Sequence, residues 1–173
     1  KRIVSLQSMQ VVPYKDSTQS KKKQVSEMFN GISGQYDQMN RLITFGVDLR
    51  WRKRLIEKVA SLSPESVLDV ATGTGDLALA IAKETQAQVI GLDISAGMLA
   101  VGAEKIKTAH LEQRVDMILG DSESIAFEDN RFDAVTVAFG VRNFEHLERG
   151  LLEIKRMLKP GGTLAVLETS VPT

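Results

Sequence analysis

Three aspartates stand at or near the ends of hydrophobic runs and could bind one ligand together. Asp69 lies within VLDV, Asp93 closes VIGLD, and Asp121 follows VDMIL in the stretch GDSES. A carboxylate can accept hydrogen bonds from an ammonium group, from two sugar hydroxyls or from an amine on a ring. A single strand-end aspartate often caps a turn, but three of them after successive runs predict one binding site.

A glycine-rich loop, ATGTGDLA, follows the first of these runs. Gly73 and Gly75, on either side of Thr74, permit a tight turn and a close approach between backbone and ligand. The helix that follows would direct its amide groups at the ligand. Gly73, Gly75 and Ala78 also satisfy the dinucleotide fingerprint GxGxxG/A, so an NAD-dependent oxidoreductase is an alternative at this point.

Asp69 favours a cationic ligand over a dinucleotide. It precedes the loop inside the strand, where a pyrophosphate would face a carboxylate and be repelled. S-adenosylmethionine carries an ammonium and a sulfonium group, and the same charge would attract it. The alternative for Asp69 is a solvent-facing strand end or a partner in helix capping.

The other acids match the remaining parts of that molecule. Asp93 follows Gly75 at about the spacing, ~20 residues, of a carboxylate that accepts both ribose hydroxyls. Asp121 can accept from the exocyclic amine of adenine while Ser122 presents its backbone amide to the ring. Met98 could cover the adenine, or it could belong to the core, which is the commoner use of a methionine at helical spacing.

The alternation of hydrophobic runs and helical stretches predicts an α/β fold. The strand-like runs are VLDV, VIGLD, VDMIL, AVTVAFG and TLAVLE, and the helical stretches between them are DLALAIAKE, SAGMLAVGAEKIKTA and HLERGLLEIKRML. This order predicts a doubly wound, Rossmann-like, mostly parallel sheet with helices on both faces. Ligands of such sheets bind at the carboxyl ends of the central strands, where the aspartates and the glycine loop would lie.

Composition excludes several classes of function. The chain has 173 residues with 22 Lys+Arg and 22 Asp+Glu, so a net charge of zero provides no field that would attract nucleic acid. It has no cysteine and two histidines, which excludes disulfides and thiolate nucleophiles and leaves little room for a zinc site. No apolar run reaches the ~18 residues needed to cross a bilayer. We expect a cytoplasmic protein without a metal site or a nucleic-acid partner.

The region ahead of the first strand divides into an arm and a lid. Residues 1–24 are polar, rich in Ser and Lys and without helical period, so we predict a flexible arm whose KKK run is a solvated linker. A transit peptide is the alternative. Residues 25–62 are predicted to form lid helices. In the last of them Trp51, Leu55 and Val59 recur at helical spacing, with the basic cluster RWRKR on the solvated face.

Longer segments carry a resemblance to a known family. The order VLDVATGTGD, VIGLDIS, GDSESIAF, FDAVTVAFGVRN and LKPGG resembles the seven-stranded S-adenosylmethionine-dependent methyltransferases over residues 65–173. Within that superfamily YDQMN…W, FGVRNF and RMLKPGGTLAVLETS, which together span residues 36–170, resemble the C-methyltransferases of menaquinone and ubiquinone biosynthesis. The glycine loop indicates only the superfamily, whereas the other three segments indicate the family.

The resemblance implies a methyltransferase domain over residues 25–173 with S-adenosylmethionine as cofactor and a polyprenyl quinol as substrate. The reaction would convert demethylmenaquinol to menaquinol, or perform the benzoquinol step of ubiquinone synthesis. Ala138 stands where the family often has a small hydroxyl residue, so only a backbone contact would remain there. Thr74, Asp93 and Asp121–Ser122 fall on the family's cofactor contacts. The predicted cofactor-binding residues are Asp69, Gly73, Thr74, Gly75, Asp93, Met98, Asp121, Ser122 and Ala138.

Arg142 and Asn143 are the predicted catalytic residues beside the methyl group. A quinol carbon becomes nucleophilic when the neighbouring hydroxyl loses its proton. Arg142 could bind the substrate and stabilise the phenolate, or orient a water that takes the proton, because a guanidinium is a poor base. The alternative is that Arg142 pairs with a helix acid and Asn143 caps a helix. His146 is titratable but equally suited to the solvent face of the next helix.

The polar side chains in YDQMNRLITFGVDLRW are predicted to fold over the cofactor as a lid. Tyr36 and Asp37 are the predicted catalytic members of this segment, and Asn40 is predicted to bind the substrate. Asp48 stands where the family usually has histidine, which puts a base at that position in doubt. Trp51 is predicted to pack on the sheet.

The predicted partners follow from the open sheet and the acceptor. Sheets of this type continue with a sixth and a seventh strand, so we expect a sheet truncated after its fifth strand, whose open edge could pair with a second copy in a homodimer. A hydrophobic acceptor such as a polyprenyl quinol implies peripheral membrane contact. A methyltransferase for another small molecule, or a non-catalytic cofactor-binding subunit of a quinone-biosynthesis complex, are the alternative functions.

Overall fold

The computed structural model describes residues 13, 18–36 and 47–168, and the account below concerns these residues. The helices are α1 (Lys21–Ile32), α2 (Val47–Ala60), α3 (Asp76–Glu84), α4 (Ala96–Thr108) and α5 (Leu147–Met157). The strands are β1 (Ser66–Val70), β2 (Gln88–Asp93), β3 (Val115–Leu119), β4 (Phe132–Ala138) and β5 (Leu158–Leu167). One turn of 3-10 helix, Val141–Asn143, follows β4. Within these ranges no helix is both long and apolar enough to cross a bilayer.

The five strands form one sheet in the order β3-β2-β1-β4-β5, and all neighbouring strands are parallel. The chain moves outward from β1 to β3, then returns to the other side of β1 and continues with β4 and β5. The strand order therefore reverses between β1 and β4, which leaves a crevice at their carboxyl ends. The predicted doubly wound α/β fold is confirmed.

The sheet is covered on both faces because its central strands are apolar on both sides. Alternate residues of β1 enter different clusters, with Val67 in one and Leu68 in the other. The first cluster includes Leu55 of α2 and other apolar side chains of α3 and α4. The second includes Ile154 and Met157 of α5. The mostly buried central strands β2, β1 and β4 thus anchor the carboxyl edge of the sheet.

The predicted arm overlaps the first helix. Helix α1 begins at Lys21, and Ser20 caps it by accepting a hydrogen bond from the Lys23 amide at 3.3 Å. The prediction of a solvated linker is wrong for Lys21, because only 7% of this residue is exposed to solvent. Backbone carbonyls accept hydrogen bonds from its ammonium group, and these bonds offset the cost of burying the charge. The division into a lid segment and a core stays a prediction.

The predicted packing of Trp51 on the sheet is wrong. Leu55 and Val59 of α2 are buried, but Trp51 is 41% exposed. Four residues advance a helix by slightly more than one turn, so Trp51 is rotated by about 80° from Val59. Arg52 is half-buried instead, and its guanidinium lies 5.7 Å from the ring centre of Phe139.

Asp133 connects three strands at the amino edge of the sheet, opposite the crevice. Its Oδ2 accepts hydrogen bonds from the amides of Glu65 and Ser66 at 3.0 and 2.9 Å and from the Ser66 hydroxyl at 2.9 Å. Its Oδ1 accepts from Lys159 of β5 at 2.7 Å. Burial alone would raise the pKa of Asp133, but the hydrogen bonds from Lys159 and Ser66 outweigh it and hold the pKa at about 2.

We expect Asp133→Asn to lower the free energy of unfolding at neutral pH by about 1–2 kcal/mol, because a partly exposed group on β4 loses its charge-assisted bonds to β1 and β5. The folded pKa lies below the usual value, so this stabilisation is present above pH ~4 and is lost as the pH falls towards 2. Urea unfolding between those pH values should show the two proteins converging. Asp116→Asn, at an exposed position of β3, is the control. If the difference in free energy of unfolding between the wild type and Asp133→Asn did not change with pH, this account would be contradicted.

Candidate functional site

The crevice lies where β1 and β4 end, and the backbone there is strained. Ala71 and Phe139 follow the two strands with φ angles of 55° and 58°, which side-chain-bearing residues rarely adopt. Gly140 comes next, and a Cβ at this position would lie 2.5 Å from the Cβ of Ala71. Strain of this kind concentrates at functional sites, since surrounding structure must hold it.

A cleft above this crevice brings together many of the predicted site residues. It contains about 700 Å³ of space between atoms, part of it open to solvent. The predicted residues that line it are Tyr36, Gly73, Asp93, Met98, Asp121, Ser122, Ala138 and Asn143. We call this space the first cleft.

A second cleft continues from the first between α2 and α3. Tyr36, Gly73 and Ala138 line both spaces, whereas Asp69 and Thr74 line only the second. The predicted residues Gly75 and Arg142 are not among the lining residues of either cleft. The predicted cofactor-binding set is thus divided between two adjoining spaces.

Asp93 connects the glycine loop to α4. One carboxylate oxygen accepts from the Gly73 amide at 2.8 Å, and the other accepts from the Ser95 amide at 2.9 Å. Burial raises the pKa of Asp93, and these amide bonds oppose the rise. The two oxygens of a carboxylate can together accept about four hydrogen bonds, so Asp93 retains capacity for a hydroxyl of a ligand.

Asp69 is the most deeply buried acid of the site. It is 1% exposed, and it accepts hydrogen bonds from the hydroxyls of Thr72 and Thr136, both at 2.6 Å. Burial raises the pKa of Asp69 to about 6, although these two bonds and the nearby Arg52 oppose the rise. The alternative of a solvent-facing strand end is wrong, because the hydroxyls replace water around the carboxylate.

Asp121 lies at the opposite wall and already has a cationic partner. Lys22 of α1 donates a hydrogen bond to its Oδ2, and the Glu123 amide donates to its Oδ1 at 2.9 Å. Ser122 follows it at the surface of the first cleft. Any amine that Asp121 accepts must therefore share the carboxylate with Lys22.

The loop residues and Met98 are placed as follows. Gly73 and Gly75 have positive φ angles of 59° and 77°, which the tight turn requires. Thr74 is buried, and its hydroxyl accepts from Lys105 of α4 at 2.9 Å. Met98 is also buried, so it belongs to the core while its surface closes the first cleft. Both uses considered for this methionine are compatible with that position.

Arg142 and Asn143 lie on the 3-10 turn after β4. The guanidinium of Arg142 donates to Glu168, just beyond β5, at 2.8 Å. The alternative of an ion pair with a helix acid is therefore corrected, since Glu168 follows a strand. The amide of Asn143 donates to the carbonyl of Gly140 at 2.9 Å, and the residue before α5 is His146 rather than Asn143.

Tyr36 is the described member of the predicted lid segment. Its ring meets Phe29 of α1 edge-on, with 5.7 Å between the ring centres. Asp37 and Asn40 lie outside the described residues, as does the side chain of Asp48. The helix that contains residue 48 begins at Val47.

Four residues at or beside the site did not emerge from the sequence: Lys21, Lys22, Arg52 and Glu123. Glu123 is 2% exposed and accepts from the amides of Glu145 and His146 at 2.7 and 2.9 Å. Its other oxygen lies 3.0 Å from Nδ1 of His146. Burial opposes ionisation, but these hydrogen bonds outweigh it and lower the pKa of Glu123. For Lys21, Lys22 and Arg52 the signal in the sequence was charge within segments interpreted as solvated, whereas Glu123 lies in the site segment GDSES without having been singled out.

Comparisons with known proteins show the family to which the chain is similar. Residues 17–173 match the profile of the ubiE/COQ5 methyltransferase family. A demethylmenaquinone methyltransferase of Bacteroides fragilis is 45% identical over 163 residues, which are 94% of this chain and 66% of the relative. A ubiquinone/menaquinone biosynthesis C-methyltransferase of Geobacter sulfurreducens is 44% identical over 88% of this chain and 60% of the relative. The chain thus spans less than two thirds of the length of these relatives.

A solved structure shares the same architecture. It belongs to a candidate S-adenosyl-L-methionine-dependent methyltransferase from Methanococcus maripaludis, with a TM-score of 0.63 and 25% sequence identity. The similarity covers 88% of this chain and 67% of that chain.

We expect Asp69→Asn to change how stability depends on pH. The pKa of Asp69 is raised from 3.8 to about 6 in the folded protein, so the folded state binds the proton more tightly than the unfolded state does. This preference stabilises the fold below pH ~4, and the stabilisation is lost as the pH rises through 6. An asparagine does not titrate. Between pH 4 and 7 the free energy of unfolding of the wild type should therefore fall by up to about 3 kcal/mol relative to that of the variant. This is the energy that corresponds to a pKa shift of about two units.

Urea unfolding at four or five pH values measures this difference, and Asp116→Asn again serves as an exposed control. The altered hydrogen bonds of asparagine add an offset that is the same at every pH. A wild-type-minus-variant difference that stays flat from pH 4 to 7 would show that Asp69 is not the titrating group.

Proposed function

Because the chain belongs to the ubiE/COQ5 methyltransferase family, we propose that the whole protein transfers a methyl group from S-adenosylmethionine to a ring carbon of a reduced quinone precursor. The match of residues 17–173 with this family carries the proposal. Relatives named for menaquinone and for ubiquinone synthesis support both a naphthoquinol and a benzoquinol acceptor. Family membership also removes the reason to consider an NAD-dependent oxidoreductase.

The chemistry of the first cleft fits S-adenosylmethionine, which supplies an electrophilic methyl group on its sulfonium sulfur. Asp93 lines the first cleft and retains acceptor capacity for a ribose hydroxyl. Asp121 and the amide of Ser122 are suited to the adenine, and Met98 offers an apolar surface beside them. Asp69 places negative charge near the loop, where the cationic methionine end would gain from it.

The remaining predicted contacts are Gly73, Thr74, Gly75 and Ala138. The two glycines open the loop, and the backbone of Ala138 at the end of β4 lines both clefts. Thr74 would contribute its backbone, since its hydroxyl accepts from Lys105. These roles stay proposals that rest on position and hydrogen-bonding capacity.

Arg142 and Asn143 would activate the acceptor. In our proposal a water held by the Arg142 guanidinium takes the proton of the quinol hydroxyl, and the side-chain amide of Asn143 donates a hydrogen bond to the resulting oxygen anion. The electron-rich ring carbon would then bond to the methyl group as the methyl–sulfur bond breaks and S-adenosylhomocysteine leaves. That carbon would lose its own proton to solvent, which restores the aromatic ring. The Glu168 carboxylate orients Arg142 for this role by its 2.8 Å hydrogen bond.

The predicted lid residues would act from the other side of the acceptor. Tyr36 lines both clefts, which supports a role for its hydroxyl beside the acceptor. Asp37 and Asn40 follow in the sequence and are proposed to contact the quinol ring. Together they would exclude water from the reacting carbon.

We further propose a cytoplasmic protein with peripheral membrane contact, without a nucleic-acid partner. Leu49 and Trp51 are exposed on α2 close to Arg50 and Lys53, a combination that suits an anionic lipid surface. A homodimer through β5 is the other proposed contact.

We expect the full-length protein to transfer labelled methyl groups to a reduced naphthoquinol or benzoquinol and not to the oxidised quinone, because only the quinol yields a nucleophilic carbon. Both acceptors are assayed side by side with S-adenosylmethionine. Label on neither quinol would overturn the proposal. Transfer only to a non-quinone acceptor would indicate another small-molecule methyltransferase, and cofactor binding without any turnover would indicate a non-catalytic subunit.

Tyr36→Phe should reduce kcat by about tenfold or more while the fold stays intact, since a single positioned hydroxyl is removed. The phenyl ring retains the contact with Phe29, so this variant isolates the hydroxyl, whereas Tyr36→Leu removes both. Asp37→Asn should have a comparable effect on kcat or on cofactor affinity. Wild-type kinetics in both Tyr36→Phe and Asp37→Asn would return the segment to a packing role.

A further inference from the structure

Lys21, the first residue of α1, is buried against the turn that carries Arg142 and Asn143. Its ammonium nitrogen donates to the carbonyl of Arg142 at 2.9 Å and to the carbonyl of Phe144 at 2.9 Å. Its backbone amide donates to the carboxylate of Glu145 at 3.0 Å. A residue more than a hundred positions earlier in the chain therefore contacts this turn and the two residues after it, once each.

The turn needs such a donor. Val141–Asn143 is a single turn of 3-10 helix, and carbonyls at the carboxyl end of a helix lack partners within it. The carbonyls bound by Lys21 belong to the residues directly before and after Asn143, so the ammonium group holds the backbone on both sides of this side chain. Burial lowers the pKa of Lys21, and Glu145 and Glu123 oppose this effect.

Helix α1 has other attachments that do not involve this turn. Ser26 donates to the carbonyl of Ile94 at 3.1 Å. Asn30 accepts from the Ser95 hydroxyl at 2.7 Å and from the Gly97 amide at 2.9 Å. Lys22 pairs with Asp121. Loss of the Lys21 ammonium should thus leave the helix in place and disturb the turn alone.

We propose that Lys21 is a positioning residue that fixes the backbone around Asn143 and so sets the placement of Asn143 in the first cleft and of Arg142 beside it. The inference rests on the proposed function for the catalytic roles of these two residues. The contact between Lys21 and the turn is independent of that function. It makes α1 part of the wall that faces the acceptor.

The same helix offers a matched control. Lys23 is exposed, and its ammonium lies 3.9 Å from Glu27 one turn along the helix. Lys23→Met removes the same charge and the same number of atoms as Lys21→Met, without contact to the turn. The comparison therefore separates positioning from a change in net charge or in helix propensity.

We expect Lys21→Met to lower kcat by about 10–100-fold, because small displacements of reacting groups have effects of this size. The dissociation constant for S-adenosylmethionine, measured by calorimetry, should stay within about twofold, since the binding carboxylates are untouched. Amide hydrogen exchange in segment 140–146 should accelerate. Lys21→Arg, which retains a charged donor, should recover part of kcat, and Lys23→Met should match the wild type in every measurement.

Wild-type kcat with wild-type exchange in Lys21→Met would overturn the inference. A loss of kcat accompanied by an equal loss of cofactor affinity would also overturn it, because the effect would then be a general loosening of α1. If Lys21→Met does not melt cooperatively, Lys21→Gln replaces it under the same criteria. Should the wild type methylate neither quinol, the proposed function fails, while exchange in segment 140–146 still decides whether Lys21 holds the turn.

Discussion

Charge buried at the carboxyl edge of the sheet must be matched by donors and acceptors of the protein itself, and the architecture of the site depends on this requirement. Asp69 is matched by two threonine hydroxyls, Asp93 by two amides and Glu123 by the amides that begin α5. Lys21 is matched by carbonyls of the turn after β4. The bonds of Thr136 to Asp69, of Gly73 to Asp93, of the amides of Glu145 and His146 to Glu123, and of Lys21 to its carbonyls join segments distant in the chain. The groups suited to a ligand thus also hold the loops in place.

The same requirement changes the interpretation of Asp69. Its charge at the strand end suggested a direct partner for a cationic ligand, yet two hydroxyls already surround the carboxylate. A carboxylate held in this way acts through space, as a source of negative potential beneath the glycine loop. The raised pKa shows that its charge is costly in this position, a cost that a nearby cation would reduce.

The fold was predictable because its information is local. Alternating runs such as VLDV and VIGLD became β1 and β2, and the strand ends carried Asp93 and Asp121 into one cleft. The contacts of α1 were not predictable, since Lys21 and Lys22 meet partners about a hundred residues away and a charge run is usually solvated. Trp51 was misplaced because a spacing of four drifts around a helix, and over two steps the drift removed it from the buried face.

The residues at the two edges of the sheet have different roles. At the amino edge one carboxylate joins β1, β4 and β5, while at the carboxyl edge Ala71 and Phe139 keep strained backbone beside the cleft. Stability and activity usually compete where the same residues serve both. The hydrogen bonds of Asp133 lie about the length of a strand away from the proposed site. An engineer seeking a more heat-resistant form of this protein should therefore work near Glu65, Asp133 and Lys159, where gains in robustness need not be exchanged for turnover.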